Sequence, residues 1–221
     1  PSTNPSETVI CNSMGMIAAG NGVVFNPHPG AIATSNYAVD LINRASAAMG
    51  GPQVLVSSVV KPTLDTAKVM YGHPSIRLLV CTGGPGVVKA VLSSGKKAIG
   101  AGAGNPPVIV DDTADIKKAG KDIIDGCTFD NNLPCIAEKE VVAFENITDE
   151  LIYHMKENGA YLIGEEQQLQ LTSLVLPDGK LNRKYVGKNA KYILAGIGIE
   201  VPDTVRCIIF EGRKEQAKLI G

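Results

Sequence analysis

The chain has 221 residues, enough to bury a sizeable core in one or two domains. Its net charge is −1 with both signs interspersed, which excludes the basic footprint of a nucleic-acid binder. No run of about 18 apolar residues occurs, so no membrane span is expected, and the opening PSTNPSETVI has no basic segment ahead of an apolar one, unlike a secretory leader.

Apolar strand-like runs alternate with helix-period segments. Val9, Ile10, Met14 and Ile17 fall on one helical face, and Gly20-Asn21-Gly22 ends that helix. GVVFNP follows as a buried strand. Ala38, Ile42, Ala45 and Met49 repeat at helical spacing up to Gly50-Gly51-Pro52. VLVSSVV has the β-branched bias of a strand, residues 64–71 predict a short helix, and IRLLVCT another strand. GGPG then opens a helix through Val87, Val88, Val91 and Leu92. After KKAIG and the strand in PPVIVDD, Ile116, Ala119 and Ile123 mark a helix capped near Thr113. KEVVAF reads as a strand and TDELIYHMKENG as a helix with acids in its first turn and Gly159 as its stop. From Gly164 to Gly198 the pattern is weaker: Pro177-Asp178-Gly179 is a turn and residues 187–195 are expected to be helical.

This alternation predicts an α/β fold with a largely parallel sheet. The composition shifts at GKKAIGAGAGNPP, residues 95–107, where a domain boundary is placed: residues 1–100 in one domain and 101–221 in the other.

Two glycine-rich stretches invite a nucleotide-binding reading. GAGAGN is not a dinucleotide fingerprint, because that motif needs a strand before it and a helix after it, and here Pro106-Pro107 and a strand follow. It reads either as a loop stripped of side chains so that another group can come close, or as a flexible connector. Thr82-Gly83-Gly84-Pro85-Gly86 does have the strand-to-helix context, and glycines there let backbone N–H groups face an anion at a helix N-terminus. A purely structural tight turn fits equally well.

Five cysteines (Cys11, Cys81, Cys127, Cys135 and Cys207) without a C-x-x-C point to reduced thiols of a cytoplasmic protein. His28, His73 and His154 show no zinc-like spacing with them, so no metal site is expected. Cys11, Cys81, Cys127 and Cys207 sit in helix or strand patterns and read as core thiols. Cys135 is different: it follows Asn131-Asn132-Leu133-Pro134 at what reads as a loop-to-strand junction. On pattern alone it is either a small buried hydrophobe or a nucleophile.

Four segments in order, PSTNP, GNGVVFNPHP, CTGGPG and NNLPC, resemble the aldehyde dehydrogenase superfamily, and within it the CoA-acylating aldehyde dehydrogenases of ethanolamine and propanediol utilisation. The resemblance runs to about Phe210. It implies a partial Rossmann-like dinucleotide-binding domain over residues 1–100 and an α/β catalytic thiol domain over 101–221, incomplete at its C-terminal end. It puts the nucleophile on Cys135 and the oxyanion donors on the Asn4 amide and the Cys135 N–H. It places NAD, with NADP as the alternative, against Asn26, Pro27 and His28, the pyrophosphate against Gly83 and Gly84, and counts Thr82 and Gly102 among the cofactor-binding residues. The hydrolytic members carry a water-activating Glu where this chain has Ala101; its absence points to acyl transfer to coenzyme A, a better nucleophile than water.

The implied reaction oxidises acetaldehyde or propionaldehyde to its acyl-CoA through a thiohemiacetal and a thioacyl group on Cys135. Two other readings stay open: a Cys–His hydrolase or acyltransferase without nicotinamide, and a non-catalytic piece of the dehydrogenase. The resemblance also implies a fragment lacking both ends, since the chain starts at the oxyanion Asn without an initiator Met and its tail FEGRKEQAKLIG departs from the family. A homo-oligomer, possible residence in a bacterial microcompartment and contact with its shell complete what it implies. Lys180, Arg183, Lys184, Lys188 and Lys191 form a basic cluster that either meets CoA phosphates or is a solvated face.

Overall fold

In the computed structural model, residues 4–102 and 104–212 are described. Two compact units make up the chain, Pro1–Ala103 and Gly104–Gly221. The first holds α1 (Pro5–Ala18), β1 (Val23–Phe25), α2 (Ile32–Ala48), β2 (Val56–Ser58), α3 (Leu64–Gly72), β3 (Leu78–Thr82), α4 (Pro85–Leu92) and β4 (Lys97–Ala101). The second holds β5 (Pro107–Val110), α5 (Ile116–Cys127), β6 (Glu140–Ala143), α6 (Glu145–Glu157), β7 (Ala160–Leu162), α7 (Glu165–Val175), α8 (Ala190–Ala195) and β8 (Cys207–Ile209).

The strands pair in parallel, β1 with β2, β3 with β4, β5 with β6 and β7 with β8. Parallel neighbours need a crossover, and each pair has at least one helix between its strands. The α/β class expected from the alternation is the one observed.

In the first unit Val9, Val23, Ala38, Val39 and Val56 form one core, and Leu79, Cys81 and Val91 a second. Along β3 the period of two is plain: Leu79 and Cys81 are buried while Leu78 and Val80 are exposed. The second unit's main core joins Val110, Ile123, Ile124, Ile147, Leu151, Met155 and Ala160. Ile147, Leu151 and Met155 recur every four residues, so α6 turns one stripe toward α5. Gly120 lets the two helices close: a Cβ there would stand 2.8 Å from the Cβ of His154.

Several elements differ from the expectation, each for a local reason. The strand expected over VLVSSVV shrinks to Val56–Ser58. The side chain of Asn43 on α2 takes over the backbone before it, accepting from the N–H groups of Leu55 (3.0 Å) and Val56 (3.0 Å) and donating to the Val56 carbonyl (2.8 Å). The buried face of α1 carries Val9 and Ser13, not Ile10 and Met14, which are exposed. Val24 and Met49 are exposed too, so GVVFNP is half-buried and α2 closes before Met49.

Helix α5 is capped by Asp115, whose Oδ1 accepts from the Lys118 N–H at 3.0 Å, and not by Thr113. Thr113 is held instead in an Asx turn by Asp111, through its N–H (3.0 Å) and its hydroxyl (2.7 Å). Helix α7 was not expected; its one fully buried position is the polar Gln168 while Leu169 is exposed, so the apolar period that marks a helix is absent. GAGAGN runs from the end of β4 to just before β5, with no helix after it, as the rejection of a dinucleotide fingerprint required. Residues 1–3 of PSTNP and the tail beyond Gly212 lie outside the described residues.

Candidate active site

The segment between α5 and β6 is built around Cys135. Asp130, Asn131 and Asn132 all adopt the left-handed conformation, with φ of 48°, 50° and 61°. An L-residue pays roughly 1–2 kcal/mol there, least for Asn and Asp, whose short side chains bond locally. Those bonds are present. The Asn131 amide donates to the Gly187 carbonyl at 3.0 Å, and the Asn132 amide donates to the carbonyls of Cys127 (2.7 Å) and Glu138 (2.9 Å).

Past this corner, Pro134 and Ala137 are buried and the two residues between them are exposed. The Ala137 N–H closes a turn on the Pro134 carbonyl at 3.1 Å. Cys135 therefore sits on a turn pinned at both ends, with its thiol on the surface. The expected loop-to-strand junction is displaced: β6 starts only at Glu140. Among the described residues nothing accepts from the Cys135 N–H.

Lys139, which the sequence did not single out, and Gly104 of GAGAGN shape this turn. The Lys139 ammonium donates to Asn132 Oδ1 (2.7 Å), the Pro134 carbonyl (3.3 Å) and the Ala137 carbonyl (3.2 Å). Gly104 lies against the other side, where a Cβ would stand 2.2 Å from the Cys135 carbonyl oxygen. Of the two readings of GAGAGN, close approach is the one the structure bears out at Gly104. No periodicity marks Lys139, since Ala-Glu-Lys-Glu looks like any solvated segment.

The remaining thiols divide differently from the expectation. Cys81 is buried, and burial pushes its thiol up from the ordinary range. Cys11, expected in the core, is exposed on α1 because the helix buries Val9 and Ser13 instead. Cys127 and Cys207 are half-buried with their sulfurs 3.6 Å apart. The contact with Cys127, then burial, holds the Cys207 thiol protonated far above the usual range. Beside this pair, Arg206 donates to Asp125 Oδ1 (2.8 Å) and Thr128 Oγ1 (2.8 Å), tying β8 to the end of α5 where the thiol segment begins.

In the first unit Asn4 is the N-cap residue of α1. Its carbonyl accepts from the Thr8 N–H at 3.0 Å, but its side chain makes no capping bond. An N-cap Asn ordinarily bonds an orphan N–H of the first turn; here the amide is left available for another partner.

A cavity of about 970 Å³ opens in the same unit. Asn26, Pro27 and His28, just past the C-terminal end of β1, and Thr82, at the end of β3, share its wall with Thr8 and Asn12 of α1. Ligands of parallel α/β sheets bind outside the carboxyl ends of the strands, which is where these residues lie. Asn26 Oδ1 accepts from the Thr66 hydroxyl at 2.9 Å. His28 Nδ1 accepts from the Gly30 N–H at 3.1 Å, so a neutral His28 presents Nε2–H as its free donor.

Gly83, Gly84 and Gly102 are not on that wall. Gly84 caps α4, with Pro85 at its first position. The Gly83 N–H is committed to the Ala101 carbonyl at 3.1 Å, so it is not the donor that would face an anion. Ala101 ends β4 and is exposed. Asn4 belongs to the first unit and Cys135 to the second. In the basic cluster, Lys191 pairs with Asp203 at 2.8 Å, and Lys184 and Lys188 lie over the rings of Tyr185 and Tyr192.

Comparison with known proteins adds five matches. The aldehyde dehydrogenase family profile matches residues 4–177. The propanal dehydrogenase (CoA-propanoylating) of Salmonella typhimurium is 48% identical over 202 residues, 91% of this chain and 44% of that protein. The acetaldehyde dehydrogenase (acetylating) EutE of Escherichia coli is 42% identical, covering 97% of this chain and 48% of its own length. A propionaldehyde dehydrogenase from the Clostridium phytofermentans fucose utilisation bacterial microcompartment superposes with a TM-score of 0.91 at 65% identity, over 97% of this chain and 50% of that one. The Rhodopseudomonas palustris propionaldehyde dehydrogenase with bound propionyl-CoA gives 0.89 at 54% identity, over 96% and 48%. The chain thus spans about half the length of the curated relatives it matches.

Proposed function

Because the chain belongs to the aldehyde dehydrogenase family, we propose that it carries the thiol half of a CoA-acylating aldehyde dehydrogenase acting on a short aldehyde such as acetaldehyde or propionaldehyde. The observation that carries this reading is the exposed Cys135 on a turn anchored by buried Pro134 and Ala137. A core thiol would be enclosed; this one is presented.

The Cys135 thiolate attacks the aldehyde carbonyl and an S–C bond forms. The family resemblance assigns the oxyanion to the Asn4 amide and the Cys135 N–H, and each is without a partner of its own among the described residues. A donor of this kind is worth about 3–4 kcal/mol in the transition state. The bound nicotinamide dinucleotide, NAD or NADP, supplies the hydride acceptor, and Asn26, Pro27, His28 and Thr82 would hold it in the cavity at the strand ends. The thioacyl group left on Cys135 is then attacked by the thiolate of coenzyme A; the new S–C bond forms, the Cys135 S–C bond breaks, and acyl-CoA and the Cys135 thiolate are released. Ala101 offers no carboxylate to activate water, which favours the thiol acceptor.

Microcompartment residence within the cytoplasm belongs to the same proposal, supported by the origin of the Clostridium phytofermentans relative; contact with a shell and homo-oligomerisation are proposed with it from the family resemblance alone. Among the described residues no helix is long and apolar enough to cross a membrane. The Cys–His hydrolase reading gains no support: no contact between a histidine and Cys135 occurs among the described residues, and His154, the second unit's histidine, packs on Gly120 of α5.

The test is NADH formation by the full-length enzyme on adding propionaldehyde, with and without coenzyme A. CoA-dependent NADH formation that disappears in Cys135→Ala supports the proposal. Turnover retained by Cys135→Ala, or NADH formation indifferent to CoA, overturns it.

A further inference from the structure

The thiol turn is organised by a cation that the reaction above does not use. Lys139 has three ammonium protons and no acceptor. It has three oxygen partners, Asn132 Oδ1 at 2.7 Å, the Pro134 carbonyl at 3.3 Å and the Ala137 carbonyl at 3.2 Å. These oxygens bracket Cys135, two before it and one after it. Asn132 in turn stands in the left-handed conformation and donates its amide to the carbonyls of Cys127 and Glu138. One side chain thus accepts from Lys139 while bonding the two ends of the segment.

The consequence follows from peptide geometry. No peptide bond among the described residues is cis. In a planar trans peptide the C=O of one residue and the N–H of the next point in opposite directions. Drawing the Pro134 carbonyl toward the ammonium therefore turns the Cys135 N–H away from it. That N–H is the backbone oxyanion donor of the reading above, on which this inference rests. Proline at 134 has no N–H of its own to compete, and burial of Pro134 and Ala137 keeps the turn from pivoting.

We infer that Lys139 is a positioning residue for catalysis: by gathering Asn132 Oδ1 and the carbonyls of Pro134 and Ala137, it aims the Cys135 N–H at the oxygen of the substrate carbonyl. Its effect is confined to steps in which an oxyanion develops.

Two reactions of Cys135 separate this from general upkeep of the loop. With p-nitrophenyl acetate the thiolate attacks the ester carbonyl, an oxyanion forms, and p-nitrophenolate leaves as the S–C bond is completed. With iodoacetamide the thiolate displaces iodide from an sp³ carbon and no oxyanion appears. Both rates are read at Cys135 by peptide mass spectrometry on the full-length enzyme, with exposed Cys11 as internal reference and the circular dichroism spectrum of each variant as the marker of an intact fold.

In Lys139→Met, acylation of Cys135 falls on the order of 10²-fold, as for loss of one oxyanion donor, while alkylation relative to Cys11 stays within about threefold. Lys139→Arg, which keeps a cation and several donors, retains acylation within about tenfold of the native rate. Both rates falling together, or neither changing, overturns the inference. If Lys139→Met fails to fold, Lys139→Gln decides instead: it keeps a polar side chain at this exposed position but is too short and too poor in donors to gather all three oxygens, so acylation alone must fall. A native enzyme whose Cys135 alkylates but is never acylated overturns the functional reading and this inference with it; normal native acylation with an indifferent Lys139→Met overturns the inference alone.

Discussion

The carbonyl oxygen of Cys135 lies where a side chain on Gly104 would have to be: a Cβ built there stands 2.2 Å from the oxygen and 3.2 Å from the carbonyl carbon. The neighbour is backbone and cannot rotate away. Gly104→Ala must push the thiol turn off its two buried anchors. Overpacking of this kind costs about 1–3 kcal/mol. A lowered urea midpoint, together with a changed acylation rate at Cys135, is the expected outcome; unchanged stability would mean that the turn yields freely.

Asn43 joins α2 to the strand end through three hydrogen bonds with Leu55 and Val56. A typical bond contributes about 1 kcal/mol net, so Asn43→Ala should destabilise the protein by roughly 2–3 kcal/mol in denaturant unfolding. Asn43→Asp keeps the two acceptor bonds but sets a carboxylate oxygen against the Val56 carbonyl, and should be no better.

Leu151 is 2% exposed and central to the α5–α6 core. Leu151→Ala should lower unfolding free energy by about 2–5 kcal/mol. Leu169→Ala, at an exposed position of α7, should change it by less than about 0.5 kcal/mol. The contrast is read from equilibrium denaturation of the two variants side by side.

Asp125 accepts from Lys121 and Arg206, which hold its carboxyl below the usual carboxylate range. A depressed folded value means that the stabilisation is present above the unfolded value of about 3.9 and is lost as pH falls through the lower folded one. Asp125→Asn removes that dependence. The native protein should therefore lose more stability between pH ~7 and ~3 than the variant does, as read from urea midpoints at the two pH values.

Where local chemistry leaves a period or a punctuation mark, the sequence was legible. The apolar run IRLLVCT announced β3, Gly159 the end of α6, and the strand-to-helix context of Thr82–Gly86 the start of α4. Legibility failed where side chains replaced backbone partners. Asn43 shortened a strand, and Asp111 drew Thr113 away from a capping role. It failed again where a polar residue took a core position, as Ser13 does on α1 and Gln168 on α7. Cys135 could be singled out by its setting, but the groups that build its turn could not. Lys139 and Gly104 act through tertiary proximity, and nothing in Glu-Lys-Glu or Gly-Asn-Pro encodes which carbonyl each will meet.

Asn131 and Asn132 of the left-handed corner also constrain how this protein can drift. From an Asn codon a single nucleotide change reaches Asp, Ser, Thr, Ile, Lys, His or Tyr, but not Gly. Of these, Asp and His tolerate the left-handed backbone best, and at position 132 both surrender the amide that bonds Cys127 and Glu138. Glycine, the one residue freer in this conformation, lies two changes away through Asp or Ser. The approach to the nucleophile is thus guarded by the codon table as well as by sterics, and lineages that cross to glycine must pass through an intermediate with a loosened thiol turn.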